Sequence, residues 1–240
     1  MPATARQVVQ SGKKAVHVAR QARAVATRQQ IITGAARMFE QSGFEGASLG
    51  DIVDGSGTTK GALYFHFRSK DELARVVIEE QHRTSIESVR AVTETGASPL
   101  RQLVMLCHEM ARQIIHDPVV RAGMRLTLEF GGSSEPAQPY VEWIANAQQI
   151  VEHGIEQGEI TSTVDPASLA RFVIGSFTGV QLVSQVLTLR ADIEQRVDDM
   201  WEYLLPAIAT TEDAAELSAI RAARWTPPAE AEPQAPDPEA

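Results

Sequence analysis

Three dipeptides constrain this chain more than anything else in it: Ser98-Pro99, Asp117-Pro118 and Asp165-Pro166. In each, a side-chain oxygen that can accept an orphan backbone N–H stands directly before a proline. Proline at the first helical position loses nothing by lacking its own N–H. Three helix starts are thereby marked, and Ser69-Lys70-Asp71-Glu72 marks a fourth as a capping box. Between these marks apolar residues recur at helical rather than alternating spacing, and no run of strand-like segments competes. The spacing predicts an all-α chain with helices over 24–42, 48–54, 59–65, 69–94, 98–116, 118–129, 138–157, 166–188 and 192–209. A loop is expected at Gly131-Gly132-Ser133-Ser134.

The three short segments before residue 68 are the most informative. Ile31, Ala35 and Phe39 share one face of the first, Leu49, Ile52 and Val53 line the second, and Ala62, Leu63 and Phe67 close a small core under the third. Phe65 is read with Phe67 as core. Gly55 and Gly57 flank a tight turn between the second and third helices, as a helix-turn-helix requires. Thr58, Thr59, Lys60, Gly61 and Tyr64 remain outward. They offer donors, bare backbone and an aromatic hydroxyl, suited to base edges and phosphates of a major groove.

Charge agrees once its distribution is considered. The net charge is −9, which by itself disfavours a polyanionic partner. Residues 1–70, however, hold ten Lys or Arg against four acids, or +6, leaving twelve bases against 27 acids, or −15, for residues 71–240. A basic head on an acidic body is attracted to DNA at the head and repelled elsewhere. Four parts follow: a basic flexible arm (1–22), a helix-turn-helix DNA-binding domain (23–68), a helical ligand-binding and dimerisation domain (69–225) and a disordered Pro-rich acidic tail (226–240). The first thirty residues are basic and acid-free, as in a transit peptide, but Ser11 alone supplies the serine such peptides are rich in. No stretch of 18 uninterrupted apolar residues is present, so a cytoplasmic protein without a membrane span is expected.

Enzymatic readings fare poorly. Gly46-Ala47-Ser48-Leu49-Gly50 matches the G-x-S-x-G elbow, but a helix precedes it instead of a strand, so Ser48 is read as a helix cap. The six histidines form no H-E-x-x-H pair and Cys107 is the one cysteine, so no catalytic residue, metal site or cofactor is implied. A helical enzyme or a DNA-free adaptor stands as the competing class. Turnover of a substrate would mark the first, and capture of a protein without DNA binding the second.

The segment Thr59-Lys60-Gly61-Ala62-Leu63-Tyr64-Phe65-His66-Phe67, with Lys70-Asp71-Glu72-Leu73 after it, resembles the signature of the TetR family of repressors across residues 24–73. The resemblance implies that Thr59, Lys60, Gly61, Tyr64 and His66 face DNA and that Lys70 touches phosphate. Thr58 stands where the family usually has Val. Its hydroxyl would either loosen the turn or add a base contact. Pro118-Val119-Val120-Arg121-Ala122-Gly123-Met124-Arg125-Leu126 and the run Gly175–Gln185 look like the γ-butyrolactone receptor branch. That likeness implies a repressor, released from a pseudo-palindromic operator by a butyrolactone, butenolide or furan autoregulator, that controls antibiotic biosynthesis genes. The alternative is regulation of another small-molecule response such as efflux.

The body has features that suit such a ligand. Polar groups that a plain core would avoid lie among its apolar residues: Gln81, Tyr140, Ser176, Gln181 and Gln185, together with Trp143. By resemblance Gln81, Trp143 and Ser176 line the pocket, and Tyr140 is added on position. Residues 166–188 are apolar almost all round, which predicts burial on two sides, one in the core and one against a second copy. A homodimer is expected, with residues 192–209 supplying the second helix of a four-helix contact.

Overall fold

The computed structural model describes the backbone of residues 4–131 and 138–227, and the side chains of residues 20–131 and 138–227. Part of the predicted loop (132–134) and the tail beyond residue 227 lie outside the described residues. Ten helices and no strand occur among the described residues: α1 (Thr4–Gly46), α2 (Leu49–Ser56), α3 (Lys60–His66), α4 (Lys70–Glu94), α5 (Pro99–His116), α6 (Pro118–Glu129), α7 (Gln138–Glu156), α8 (Pro166–Thr188), α9 (Ile193–Ile208) and α10 (Ala214–Arg221). The all-α expectation holds. Most helix ends fall within a residue or two of the predicted ones, because caps and prolines are local signals. Two differences stand out: α1 starts twenty residues before the predicted 24, and α10 was not expected. Asp213, whose carboxylate accepts the Ala215 N–H at 2.9 Å, and Glu216 three residues on were its legible signal.

The prolines act as predicted, but not every cap does. Asp117 accepts the Val119 N–H at 2.7 Å and Asp165 the Ser168 N–H at 2.9 Å. Ser98 does not cap: its hydroxyl is buried and makes no hydrogen bond among the described residues. Glu159 takes its place, accepting the Leu100 N–H at 3.2 Å from far along the chain. Its segment is held in turn by Thr161 N–H to the Ile208 carbonyl (2.8 Å) and Thr210 N–H to the Glu159 carbonyl (2.9 Å).

The chain divides into two compact units. The first comprises residues 1–84 and 116–139. Its core joins Ile31, Ala35 and Phe39 of α1, Ile52 of α2, Leu63 of α3, Phe67 just after it, Leu73 and Val77 of α4, and Ala122 and Leu126 of α6. Where α1 crosses α2 there is no room for a side chain on Gly34: a Cβ there would lie 2.5 Å from Ser56 Cβ and 2.9 Å from Ser56 Cα. Near its end α1 kinks at Gly43, whose φ of 71° favours glycine. A charged seam from α6 fastens that end. Arg125 donates to the Glu40 carbonyl (2.7 Å), Arg121 to the Glu40 carboxylate (2.6 Å), and Glu129 accepts the Phe44 N–H (2.7 Å).

The second unit comprises residues 85–115 and 140–240. Trp201 of α9 is its largest fully buried side chain. Cys107 of α5 is buried too, and burial pushes its thiol up to about 12 against the opposing effect of Trp201, so it stays a protonated, unreactive thiol. His108 is held between Glu194 (2.6 Å) and Asp198 (3.4 Å) of α9. Leu189 and Arg190 take left-handed backbone angles in the turn after α8. Asp192 pins that turn by accepting from Ser184 (2.6 Å) and Thr188 (2.7 Å).

α8 is long and apolar enough, by length and composition, to cross a membrane. Its two faces explain that composition. Leu169, Val173, Phe177, Gln181 and Ser184 are buried, whereas Phe172, Leu182, Val183, Val186 and Leu187 are exposed.

Candidate functional site

α3 is the outward end of a helix-turn-helix built by local signals. Ser48 caps α2, its hydroxyl oxygen accepting the Asp51 N–H at 3.1 Å, which is the role its sequence context called for. Gly57, at φ 64°, ends α2 in the left-handed conformation and turns the chain toward α3. Thr59 then caps α3 by accepting the Ala62 N–H at 3.1 Å, and its own hydroxyl proton stays available to a partner.

Leu63 and Phe67 are 0% and 1% exposed. They are four residues apart on one helical face, and they lock α3 onto the core. Tyr64 and Phe65, which follow Leu63, turn away from that face. Thr59, Lys60, Gly61 and Tyr64 are exposed, and Phe65 is 79% exposed, contrary to its reading as core. The reason is geometric. Phe65 is two residues from both Leu63 and Phe67, about 200° around the helix, so it cannot share their face.

The other expected DNA-facing residues are less open. Thr58 is half-buried, and its hydroxyl lies 2.7 Å from that of Ser56, which donates to the Val53 carbonyl at 3.1 Å. The hydroxyl that departs from the family's Val therefore has a partner inside the turn. His66 is half-buried with its ring edge-on to Phe65. Lys70 is also half-buried: its ammonium donates to the carbonyls of Phe44 (2.7 Å) and Ala47 (3.1 Å) and lies 4.3 Å from the Phe44 ring centre. Two of its three N–H bonds thus tie α4 to the end of α1, leaving one for a further acceptor.

The expected ligand-facing residues divide between the units. Gln81 of α4 is fully buried in the first, and neither its amide nitrogen nor its amide oxygen has a hydrogen-bond partner among the described residues. Gly123 of α6 makes room for it, since a Cβ there would overlap the Gln81 side chain. Unsatisfied buried amides are costly and mark places where a ligand or water completes the bonding.

In the second unit Tyr140 and Trp143 of α7 pack edge-to-face with ring centres 5.0 Å apart, and Trp143 is buried. Burial raises the Tyr140 pKa, with Thr178 opposing, so the phenol remains a neutral donor at physiological pH. Ser176 is half-buried and its hydroxyl makes no hydrogen bond among the described residues. Sequence reasoning missed Thr178. Its hydroxyl donates to the Ile174 carbonyl at 2.8 Å and lies 3.3 Å from the Tyr140 hydroxyl. Residues 176 and 178 point about 200° apart on α8, and Thr178 is the one that meets the Tyr140 hydroxyl. Among the described residues no group of three or more His, Cys, Asp or Glu is placed to hold a metal ion.

Comparison with known proteins covers both the helix-turn-helix and the helical body. The family model "Bacterial regulatory proteins, tetR family" matches residues 31–77, and "Tetracyclin repressor-like, C-terminal domain" matches residues 97–209. The A-factor receptor protein of Streptomyces griseus is 38% identical over 192 residues, 80% of this chain and 67% of that protein. A γ-butyrolactone receptor of known structure, an ArpA-like protein, superposes with a TM-score of 0.72 at 31% identity, over 83% of this chain and 96% of that one. CprB of Streptomyces coelicolor, solved in complex with its operator sequence, gives a TM-score of 0.73 at 32% identity with the same coverage. The chain belongs to the TetR family of bacterial regulatory proteins, in the branch of the γ-butyrolactone receptors.

Proposed function

We propose that this chain is a repressor of antibiotic biosynthesis genes. As a homodimer in the cytoplasm it holds a pseudo-palindromic operator, and it releases DNA when a small autoregulator of the γ-butyrolactone, butenolide or furan type binds its body. The observation that carries the reading is the outward surface of α3. Thr59, Lys60, Gly61 and Tyr64 are exposed along a helix that buried Leu63 and Phe67 hold against the core. A helix so anchored presents donors to a major groove without having to unfold. In the division of labour we favour, residues 23–68 read DNA with His66, Thr58 and Lys70 in support, and residues 69–225 sense and dimerise. The exposed apolar face of α8 is the surface on which a second copy would lie, since apolar area of that size is costly to leave in water. A protein whose partner is the chromosome works in the cytoplasm, and no catalytic chemistry is assigned to it.

For the ligand, Trp143 supplies an apolar wall and Tyr140 a neutral hydroxyl, with Thr178 orienting that hydroxyl. Ser176 supplies a further hydroxyl. Gln81 of the first unit is kept as a ligand candidate in its own right, because both polar atoms of its amide lack a partner among the described residues. Release requires the ligand to bind the DNA-free conformation better, since equal affinity for both shifts nothing.

The test is a gel shift on DNA upstream of the chain's own gene, repeated with a synthetic γ-butyrolactone. Trp143→Ala should leave operator binding intact and raise the concentration needed for release by about tenfold, equivalent to roughly 1.4 kcal/mol. Normal release in a stable variant would remove Trp143 from the ligand site.

A further inference from the structure

α1 continues far beyond what the three-helix head needs. Its first core residue is Ile31, yet its backbone is helical from Thr4. Residues 4–30 therefore form a helical projection of roughly 40 Å at 1.5 Å per residue, about one turn of duplex DNA. Where side chains are described, the projection has left the head: Arg20, Gln21, Ala22 and Arg23 are consecutive and none is buried, and Val25 is 69% exposed. Neither Arg20 nor Arg23 has an ion-pair partner among the described residues. Arg28 marks the base of the projection, its guanidinium 5.4 Å from the Phe67 ring centre and 4.0 Å from Glu80.

The charge of this segment has one sign. Arg6, Lys13, Lys14, Arg20, Arg23 and Arg28 are its ionised residues, and no Asp or Glu precedes Glu40. At about 100° per residue, helical register places Arg20, Arg23 and Arg28 within less than one half of the helix circumference, overlapping the side that holds Ile31, Ala35 and Phe39. The basic sector is thus in line with the side of α1 that faces the head's core. We infer that residues 4–28 of α1 form a second DNA-contacting element, a basic helix that engages phosphates of the duplex flanking the operator half-site.

This inference rests on the reading of α3 as the operator-reading helix. An anionic lipid surface is the less suited partner. In residues 4–30 the largest apolar side chains are five valines, without the Leu, Phe or Trp that anchor an interfacial helix. Duplex DNA needs no apolar insertion, only charge at helical spacing and release of counterions.

The test compares the full-length chain with the quadruple variant Lys13→Ala, Lys14→Ala, Arg20→Ala and Arg23→Ala, whose alanines preserve helical propensity. Two probes are used: a duplex selected from a random pool by the intact chain and trimmed to its protected core, and the same duplex extended by about one helical turn at each end. Fluorescence anisotropy is followed across a salt series. On the extended duplex the variant should bind about tenfold or more weakly, with a slope of log K against log salt shallower by about 0.9 for each phosphate that its side chains no longer neutralise. On the trimmed core the two proteins should bind alike. Equal affinity and slope on the extended duplex would overturn the inference and leave α3 as reader, whereas failure of the intact chain to select any duplex would overturn the operator reading itself. Loss of binding to phosphatidylserine vesicles in the variant, with DNA binding unchanged, would also overturn it and assign the helix to a membrane.

Discussion

Lys60 and Tyr64 show how little of a side chain's function depends on its own surroundings and how much on those of its neighbours. Both are exposed on a helix that Leu63 and Phe67, both buried, hold against the core. Lys60→Ala and Tyr64→Ala should each cost about 1–3 kcal/mol of operator affinity, read by anisotropy titration, with sedimentation showing the oligomer unchanged. A loss of helical signal in either variant would mean the side chain served packing instead. Asp192 is the opposite kind of residue, since its work is wholly structural. Hydrogen bonds from Ser184 and Thr188 hold its carboxyl at about 2, below the ordinary 3.8, with Arg196 adding to the effect. A carboxyl depressed in the folded state stabilises above its unfolded value and loses that contribution as pH falls through the folded one. Asp192→Asn should therefore lower the thermal midpoint at pH 7, and the gap to the parent should close between about pH 4 and pH 2. A gap independent of pH would show that shape, not charge, pins the turn after α8.

Elements meet at distances that single residues decide, and the glycines of the first unit make the point. Gly34 lies where α1 crosses α2, and a Cβ there would press on Ser56 backbone at 2.9 Å. Gly50 lies within α2, and its added Cβ would meet nothing nearer than the Ser48 hydroxyl at 3.5 Å. The same substitution should then have opposite signs. Gly34→Ala should destabilise by about 1–3 kcal/mol through overpacking, while Gly50→Ala should stabilise by roughly 0.5–1 kcal/mol because the unfolded chain loses freedom and the helix gains a better former. Urea unfolding of both variants decides it, and two changes of the same sign would contradict the close approach of α1 and α2. Because α2 carries the turn into α3, the Gly34 variant should also lose operator affinity.

For the whole molecule, the exposed apolar face of α8 is the feature with the largest consequence. Val186 and Leu187 are 79% and 66% exposed, and Val183 lies beside them. Replacing Val186 and Leu187 by Glu should produce a monomer in sedimentation with helical content unchanged. It should also lower operator affinity steeply, since two linked heads gain from each other's binding. A variant that remains dimeric would move the interface to another face. The acidic body has a role at this scale as well: with −15 beyond residue 70 it repels a polyanion, so encounters productive for binding are those through the basic head.

Much of this protein could be read before any coordinates. Helix starts at Pro118 and Pro166, the cap at Ser48, the turn at Gly57 and the outward Lys60 and Tyr64 were legible because each follows from residues within a turn or two of one another. The branch was legible from runs of sequence. What the sequence could not supply are relations between residues distant along the chain. Glu159 instead of Ser98 caps α5 because a separate loop brings its carboxylate to that terminus. Thr178 meets Tyr140 because packing chooses which side of α8 turns toward α7. The seam from Arg121, Arg125 and Glu129 to the end of α1 joins segments some eighty residues apart. Caps, turns and helical faces are decided by short-range hydrogen bonds and periodicity. Which faces meet is decided by the burial of apolar area over the whole chain, and only the tertiary structure carries that.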